Sequence, residues 1–247
     1  MRRMRLPWFL FRPATVLRQG WHARVVPQLK VAFAPAATRG VTSFSVGGLN
    51  RGVPMLTLYF APGSSSMAPH IALHEIGCVF EAKPLSFARK DMRSPEYLAI
   101  NPEGKVPTLL IDGRPLTEVA AILFYLARQF PNAGLLPASN PEAEARAISW
   151  MSFIASTLHP GRQRGIDHAR TVYALADKRL GSAGWAIGSY SIADIHLFRL
   201  YWRFFNSLHP DPGEFPNLDR HYQNMMARPA VQRTLEIESR VGYELPA

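Results

Sequence analysis

The chain has 247 residues, 47% of them hydrophobic, which is enough for two ordinary domains with a sizeable core. No run of 18 apolar residues occurs, so no membrane span is expected. The net charge of +10 sits at the start: residues 1–54 hold nine basic side chains and no acid, leaving 19 Lys and Arg against 18 Asp and Glu. The remainder is nearly neutral and lacks the basic face of a nucleic-acid binder.

The Arg-rich stretch 1–54 is expected to be a disordered basic extension. Two readings of it stay open: a leader ahead of a true start at Met55, or a mitochondrial transit peptide. Arginine and proline interrupt Leu6–Phe11, which makes it a poor secretory signal, and residues 31–54 have linker composition.

The first expected strand is Leu56–Phe60, short and apolar with an aromatic. It runs into the turn Pro62-Gly-Ser-Ser-Ser66, where Ser65 or Ser66 caps a helix through Ile76. Pro69 falls in the first turn of that helix and Gly77 is a plausible stop. The single cysteine, Cys78, reads as a small buried residue of this helix, among Ile76, Val79 and Phe80. One cysteine excludes an internal disulfide, and the histidines show no metal-ligand spacing, so no metal is expected.

A second strand is expected over Phe80–Phe87 and a short helix or irregular segment over Asp91–Ala99. Asn101-Pro-Glu-Gly-Lys-Val-Pro-Thr108 leads into a hairpin, Thr108–Ile111 and Arg114–Leu116, turning at Asp112 and Gly113. Thr117 is an N-cap candidate for a helix from Glu118 to Gln129, whose Val119, Ile122, Leu123 and Leu126 share one face. Residues 131–140 read as a linker.

Everything afterwards reads as helix. Asn140 and Pro141 open one that runs to His159, with Ala147, Trp150, Met151, Ile154 and Leu158 on one face. Asp167–Leu180 is the next, ended by Gly181. Ser191-Ile-Ala-Asp194 resembles a capping box. The helix it opens carries Ile195, Phe198, Trp202 and Phe205 and is expected to be the buried centre of this half. Asn217–Ala227 and Ala230–Ser239 complete the set. The organisation expected is an α/β domain over 55–132 and an all-α domain over 140–247. Hydroxyls at one helix start and a carboxylate at another suit a small, charged, peptide-like ligand.

Six stretches, in order, carry a family resemblance: Leu58-Tyr-Phe-Ala-Pro-Gly-Ser-Ser-Ser66, Pro69-His-Ile-Ala-Leu73, Asn101-Pro-Glu-Gly-Lys-Val-Pro107, Leu116-Thr-Glu118, Trp150 through His159, and Gly188-Ser-Tyr-Ser-Ile-Ala-Asp194. Over about residues 55–240 the chain resembles the cytosolic glutathione S-transferases, most nearly the bacterial beta class. The resemblance implies a thioredoxin-like N-terminal domain followed by a helical C-terminal domain. It implies glutathione as co-substrate, a hydrophobic small-molecule electrophile as second substrate, no metal and a homodimer. Neither nucleic acid nor membrane is an expected partner. The implied location is cytoplasmic, or mitochondrial if residues 1–54 are a transit peptide.

The resemblance also implies site residues. Val106 and Pro107 would form a cis-proline turn that pairs with the cysteinyl backbone of glutathione. Glu118 would take the γ-glutamyl end, and Val119 stands where relatives carry Ser or Gly. Ser65 replaces the beta-class cysteine, so a mixed disulfide gives way to a hydroxyl that stabilises the glutathione thiolate. Ser64 and Ser66 are adjacent, and the donor stays open among the three. His159 is the expected auxiliary catalytic group, with Thr157 beside it and Lys90 as a further ligand contact. Ser152 falls where the beta class has a ligand-reaching Asn. Tyr59 is expected to pack in the core. Met67, Phe153, Ile154, Arg162 and the C-terminal segment would line the electrophile site between the domains.

On the residues alone, Glu118 reads equally as serving its own helix, His159 as a partner for a helix C-terminus, and the serines as turn and cap. The expected function is conjugation of glutathione to an electrophile. The alternatives are a non-catalytic binding or regulatory relative, or a glutathione-dependent isomerase, dehalogenase or ether-cleaving enzyme.

Overall fold

The structure, a computed structural model, describes residues 54–137, 140–161 and 164–244. All of the basic extension except Pro54, and Arg162 of the expected electrophile site, lie outside the described residues.

A four-stranded sheet has the order β2–β1–β3–β4. Strand β1 (Leu56–Phe60) pairs parallel with β2 (Glu81–Pro84) and antiparallel with β3 (Thr108–Ile111). β3 and β4 (Arg114–Thr117) form the expected hairpin, in register from Thr108 opposite Thr117 to Ile111 opposite Arg114. β1 lies inside the sheet and is covered on both faces, which suits its nearly continuous apolar run. Helix α1 (Met67–Ile76) makes the parallel crossover from β1 to β2. Short α2 (Pro95–Ile100) precedes the hairpin and α3 (Val119–Gln129) follows it. This is the thioredoxin-like arrangement.

The second half is helical: α4 (Pro141–Phe153), α5 (His159–Gly161), α6 (Ile166–Leu180), α7 (Ile192–Leu208), α8 (Pro216–Met226) and α9 (Pro229–Val241). Asn140 caps α4 by accepting from the Ala143 N–H at 3.0 Å. A wider π turn over Ile154–Leu158 joins α4 to α5, so the chain stays helical past the expected end at His159. Gly161 lets α5 approach α6, since a Cβ there would lie 2.5 Å from Val172 Cγ2.

Helix α7 is the centre of this half, with every residue from Ile192 to Phe204 buried. Its capping box is complete. The two halves share one apolar cluster, in which Leu58, Phe60, Ile71 and Ile122 meet Met151, Ile195, Phe198 and Val231. Each such side chain contributes about 1.5–3 kcal/mol on burial, so the seam between the halves is itself core. A groove that opens along that seam has fixed walls.

Several expectations are corrected. β2 is four residues rather than the eight of Phe80–Phe87, and Pro84, with no N–H to donate, ends it. Cys78 lies outside α1, beyond the left-handed Gly77, and is half-buried; burial pushes its thiol pKa up. Thr117 is the last residue of β4 and caps nothing. Ser66 sits at the N-cap of α1, but its hydroxyl makes no cap bond. Phe205 is 38% exposed, because α7 emerges from the core in its last turn.

Candidate active site

The turn between β1 and α1 sorts its three serines. The Ser66 hydroxyl accepts from the Ala61 N–H at 3.0 Å and donates to the Ala61 carbonyl at 3.1 Å. With its one proton placed there, the 2.7 Å contact to Ser64 Oγ is a bond that Ser64 donates. Ser64 Oγ also accepts from the Ser66 N–H at 3.2 Å. Both hydroxyls are buried and spent on the turn. Ser65 alone is half-exposed, and its hydroxyl makes no hydrogen bond among the described residues.

A distant carboxylate fixes the same turn. Glu238 on α9 is fully buried; it accepts from the Gly63 N–H at 2.6 Å and from His70 Nδ1 at 2.9 Å. A carboxylate only accepts, so His70 carries its proton on Nδ1. Arg199 of α7 donates to the Gly63 carbonyl at 3.4 Å. The turn that presents Ser65 is thus held from the helical half.

The opposite lip is the loop Asn101–Thr108. Asn101 donates to the Lys105 carbonyl at 2.9 Å and to Thr108 Oγ1 at 3.0 Å, and it accepts from the Glu103 N–H at 3.1 Å. Tyr97 adds a bond to the Lys105 carbonyl at 2.5 Å. Gly104 is required twice: its φ is +60°, and a Cβ would lie 2.7 Å from the Met92 carbonyl oxygen. The Val106–Pro107 peptide that follows is cis.

Glu118 then stands between β4 and α3 with φ +67° and ψ +123°. A non-glycine residue held there costs on the order of 1–3 kcal/mol, a strain that collects at functional positions. Its carbonyl accepts the first helical bond from the Ile122 N–H at 3.0 Å, leaving the amides of Val119 and Ala120 as donors at the helix start.

These pieces close around one hollow of about 360 Å3. Ser65, Val106, Pro107, Glu118 and Val119 line it from the first domain, together with Asn101, Lys105 and Ala120. Ala155, His159 and His196 line it from the helical domain. Lys105, paired with Glu103 at 2.8 Å, and Glu118 place charges of both signs in one wall. His159 is exposed at the rim, whereas His196 on α7 is 4% exposed. Burial, with Arg199 and His159 nearby, holds the His196 pKa down at about 3. A larger hollow of about 600 Å3, walled by Met55, Cys78, Val79, Phe80 and Phe130, is mostly apolar and lacks such convergent polar groups.

Six of the eight expected site residues therefore meet: Ser65, Val106, Pro107, Glu118, Val119 and His159. Lys90 and Thr157 do not line the hollow. Lys90 is an exposed residue with φ +59°, in a loop tied to the C-terminal Glu244 through Ser86 at 2.7 Å. Thr157 is half-buried in the π turn, 3.4 Å from Ser156 Oγ. Ser152 is exposed on α4, away from the hollow.

Of the residues named for the expected electrophile wall, three are described. Met67 and Ile154 are fully buried core residues, and Phe153 packs edge-on against Trp150 with ring centres 5.8 Å apart. Tyr59 packs on Tyr97 at 5.4 Å, as expected of a packing residue. The sequence reading missed Lys105, Ala155 and His196. Lys105 stood inside a quoted stretch, while His196 has no local signal beyond lying two residues after Asp194.

Comparison with known proteins adds independent findings. Residues 54–128 match the family "Glutathione S-transferase, N-terminal domain" and residues 133–229 match "Glutathione S-transferase, C-terminal domain". The chain belongs to the glutathione S-transferase family. A transferase relative, GstA of Escherichia coli O157:H7, is 33% identical over 200 residues, covering 74% of this chain and 98% of the relative. A sphingomonad glutathione S-transferase solved in complex with glutathione superposes with a TM-score of 0.67 at 34% identity, covering 74% of this chain and 98% of that one. A maleylacetoacetate isomerase of Rhizobium meliloti is 37% identical over 123 residues, covering 49% of this chain and 56% of the isomerase. Glutathione is the co-substrate of the transferases. Among the described residues no group of three or more His, Cys, Asp and Glu could hold a metal ion, and no helix is long and apolar enough to cross a membrane.

Proposed function

We propose that this transferase binds reduced glutathione in the hollow between its two halves and adds the sulfur to a hydrophobic electrophile. The γ-glutamyl end lies at the start of α3, with Glu118 for its ammonium group and the Val119 and Ala120 amides for its carboxylate. The Val106 backbone pairs with the cysteinyl unit, and Lys105 offers a cation to the glycyl carboxylate. The sulfur then faces Ser65.

The observation that carries this reading is that Ser65 is the one serine of its turn with an uncommitted hydroxyl, and it lines the hollow. A thiol with pKa near 8.5 is only a few per cent ionised at neutral pH. Lowering it by ~1.5 units makes it about half thiolate and takes roughly 2 kcal/mol. One hydrogen bond to a charged acceptor, aided by the start of α1, is of that size. The thiol proton leaves to solvent through the rim, where His159 orients the departing water. The sulfur lone pair forms the new C–S bond, and the leaving group departs with its electron pair.

Homodimer assembly and a cytoplasmic setting, or a mitochondrial one if residues 1–54 act as a transit peptide, belong to this proposal. A second reading, binding without turnover, draws support from Ser65, which stands in place of the beta-class cysteine while Glu118 and the Val106–Pro107 turn are kept. Retention on immobilised glutathione, followed by chlorodinitrobenzene conjugation, separates the two. Turnover that falls about 10- to 100-fold in Ser65→Ala, with unchanged retention, is the expected result. Retention without turnover in the wild type favours the second reading, and absence of retention removes both.

A further inference from the structure

Both lips of the hollow are held from α9 and the segment that follows it. Glu238 of α9 fixes the turn that presents Ser65, through the Gly63 N–H at 2.6 Å. A second carboxylate, Glu244, reaches the other lip. After α9 the chain turns at Gly242, whose φ of +102° lies in the region that favours glycine. The Tyr243 ring then packs on Trp202 of α7 with ring centres 5.3 Å apart, and its hydroxyl donates to the Leu235 carbonyl at 3.3 Å. The segment is thus laid back on the helical half, and Glu244 is carried to the loop between β2 and α2.

There both carboxylate oxygens of Glu244 accept from Ser86 Oγ, at 2.9 and 2.7 Å, and Oε2 also accepts from the Ala88 N–H at 3.1 Å. These donors, Ser86 foremost, hold the Glu244 pKa below its ordinary value. Ser86 is buried and closes the loop on itself: its N–H donates to Asp91 Oδ2 at 2.8 Å, and its carbonyl accepts from the Asp91 N–H at 3.1 Å. The far end of the loop abuts the lip. The Met92 carbonyl is the atom that leaves no room for a Cβ at Gly104, and Arg93 Nη1 donates to the Glu103 carbonyl at 3.3 Å. Glu103, Lys105 and Val106 line the hollow, whereas Glu244 does not. A contiguous set of contacts therefore runs from Glu244 to the glutathione side of the hollow, which is what coupling between separated groups requires.

We propose that Glu244 is a positioning residue that sets the affinity for glutathione by holding lip 103–106 through loop 86–93. This rests on the glutathione reading of the hollow. Glu244 touches no substrate and moves no proton, so its effect belongs in glutathione binding and not in the chemical step. The carboxylate acts by its geometry as a double acceptor, not by its charge.

The test uses wild type, Glu244→Ala and Glu244→Gln. Titration calorimetry gives the glutathione Kd, chlorodinitrobenzene conjugation at saturating glutathione gives kcat, and thermal unfolding reports on the fold. In Glu244→Gln the amide oxygen can take the place of Oε2 and keep both donors while the charge is lost. The expected result is a Kd raised about 3- to 10-fold in Glu244→Ala, the net worth of about one hydrogen bond, with kcat changed less than about twofold. Glu244→Gln should stay within about twofold of wild type in both. Equal rises in the two variants would mean that charge acts, and would overturn the inference. So would an unchanged Kd in Glu244→Ala, whether or not its unfolding temperature falls, since the clasp would then serve the fold alone. A wild-type protein that binds no glutathione removes the glutathione reading together with this inference, whereas binding that neither variant alters removes the inference alone.

Discussion

The starts of α1 and α7 each bring a fully buried carboxylate and a buried histidine to a turn of backbone, but the carboxylates come from different distances. At α7, Asp194 belongs to the helix it caps. It accepts from the Ser191 N–H at 2.8 Å, Ser191 Oγ at 3.0 Å, the Ala186 N–H at 2.7 Å and His221 Nε2 at 3.1 Å. At α1 the serine at the cap position turns its hydroxyl back to Ala61, and the carboxylate is Glu238 of the last helix, 175 residues beyond Gly63. The first device forms with its own helix. The second exists only once α9 has docked, so the turn that presents Ser65 is set by tertiary structure. Stability and activity should therefore separate at α7 and move together at α1.

The largest effect is expected at Asp194. Asp194→Ala strips four donors of their acceptor in a site with no access to water, and breaking a buried charged network of this kind costs about 3–5 kcal/mol. The midpoint of urea unfolding, at unchanged slope, reads that loss. Asp194 does not line the hollow, so the folded fraction should retain near-wild-type kcat/KM. A stability change under about 1 kcal/mol would show that the cap is decorative.

Next comes Glu238→Gln. The amide keeps the shape but puts an N–H against one of the two donors, Gly63 N–H or His70 Nδ1–H, at a cost of about 1–3 kcal/mol. The same change loosens the turn that presents Ser65. The bound thiol pKa should rise and kcat/KM should fall about 10-fold beyond any loss of folded protein. If Glu238→Gln, like Asp194→Ala, loses activity only in proportion to unfolding, the contrast between the two helix starts is wrong.

That contrast also marks what the sequence could disclose. The Ser191–Asp194 box was legible because both partners lie within one turn of chain, and the Asp112–Gly113 hairpin was legible for the same reason. Strand β1 followed from its short apolar run, and the apolar face of α3 and the buried stripe of α4 followed from periodicity. The role of Thr117 was misread because the chain stays extended through it and bends at Glu118, an unusual backbone state that propensity does not foresee. Cys78 was misplaced because Gly77 ends α1 one residue earlier. Glu238 and His196 carried no periodic or motif signal, and His70 stood in a quoted stretch with no role attached to it, since their meaning arises from contacts between elements far apart in sequence. Ser64, Ser65 and Ser66 are told apart only by the partners of their hydroxyls, which the sequence does not show.

The smallest expected effect at neutral pH comes from a pair of histidines, one on each of the compared helices. Burial, with His70 and Arg233 nearby, holds His74 of α1 at about 4, while His196 of α7 is held at about 3. The ordinary value is 6.5. Between that value and the depressed ones, the unfolded chain binds protons that the native chain refuses, so stability rises with pH in this window and is lost as the solution is acidified from about 6.5 toward 4. Above it both rings are neutral in either state and contribute no slope. His74→Phe should change stability by less than about 1 kcal/mol at pH 7, because the ring packs among His70 and Phe80 and a phenyl group keeps that contact. Between pH 6.5 and 5 its unfolding free energy should fall less steeply than that of the wild type, by the share of one proton. Urea titrations at three pH values read the difference. An unaltered slope in His74→Phe would mean that α1 opens enough in acid to let the ring protonate, and that the Glu238 tie to α9 is weaker than the Asp194 cap of α7.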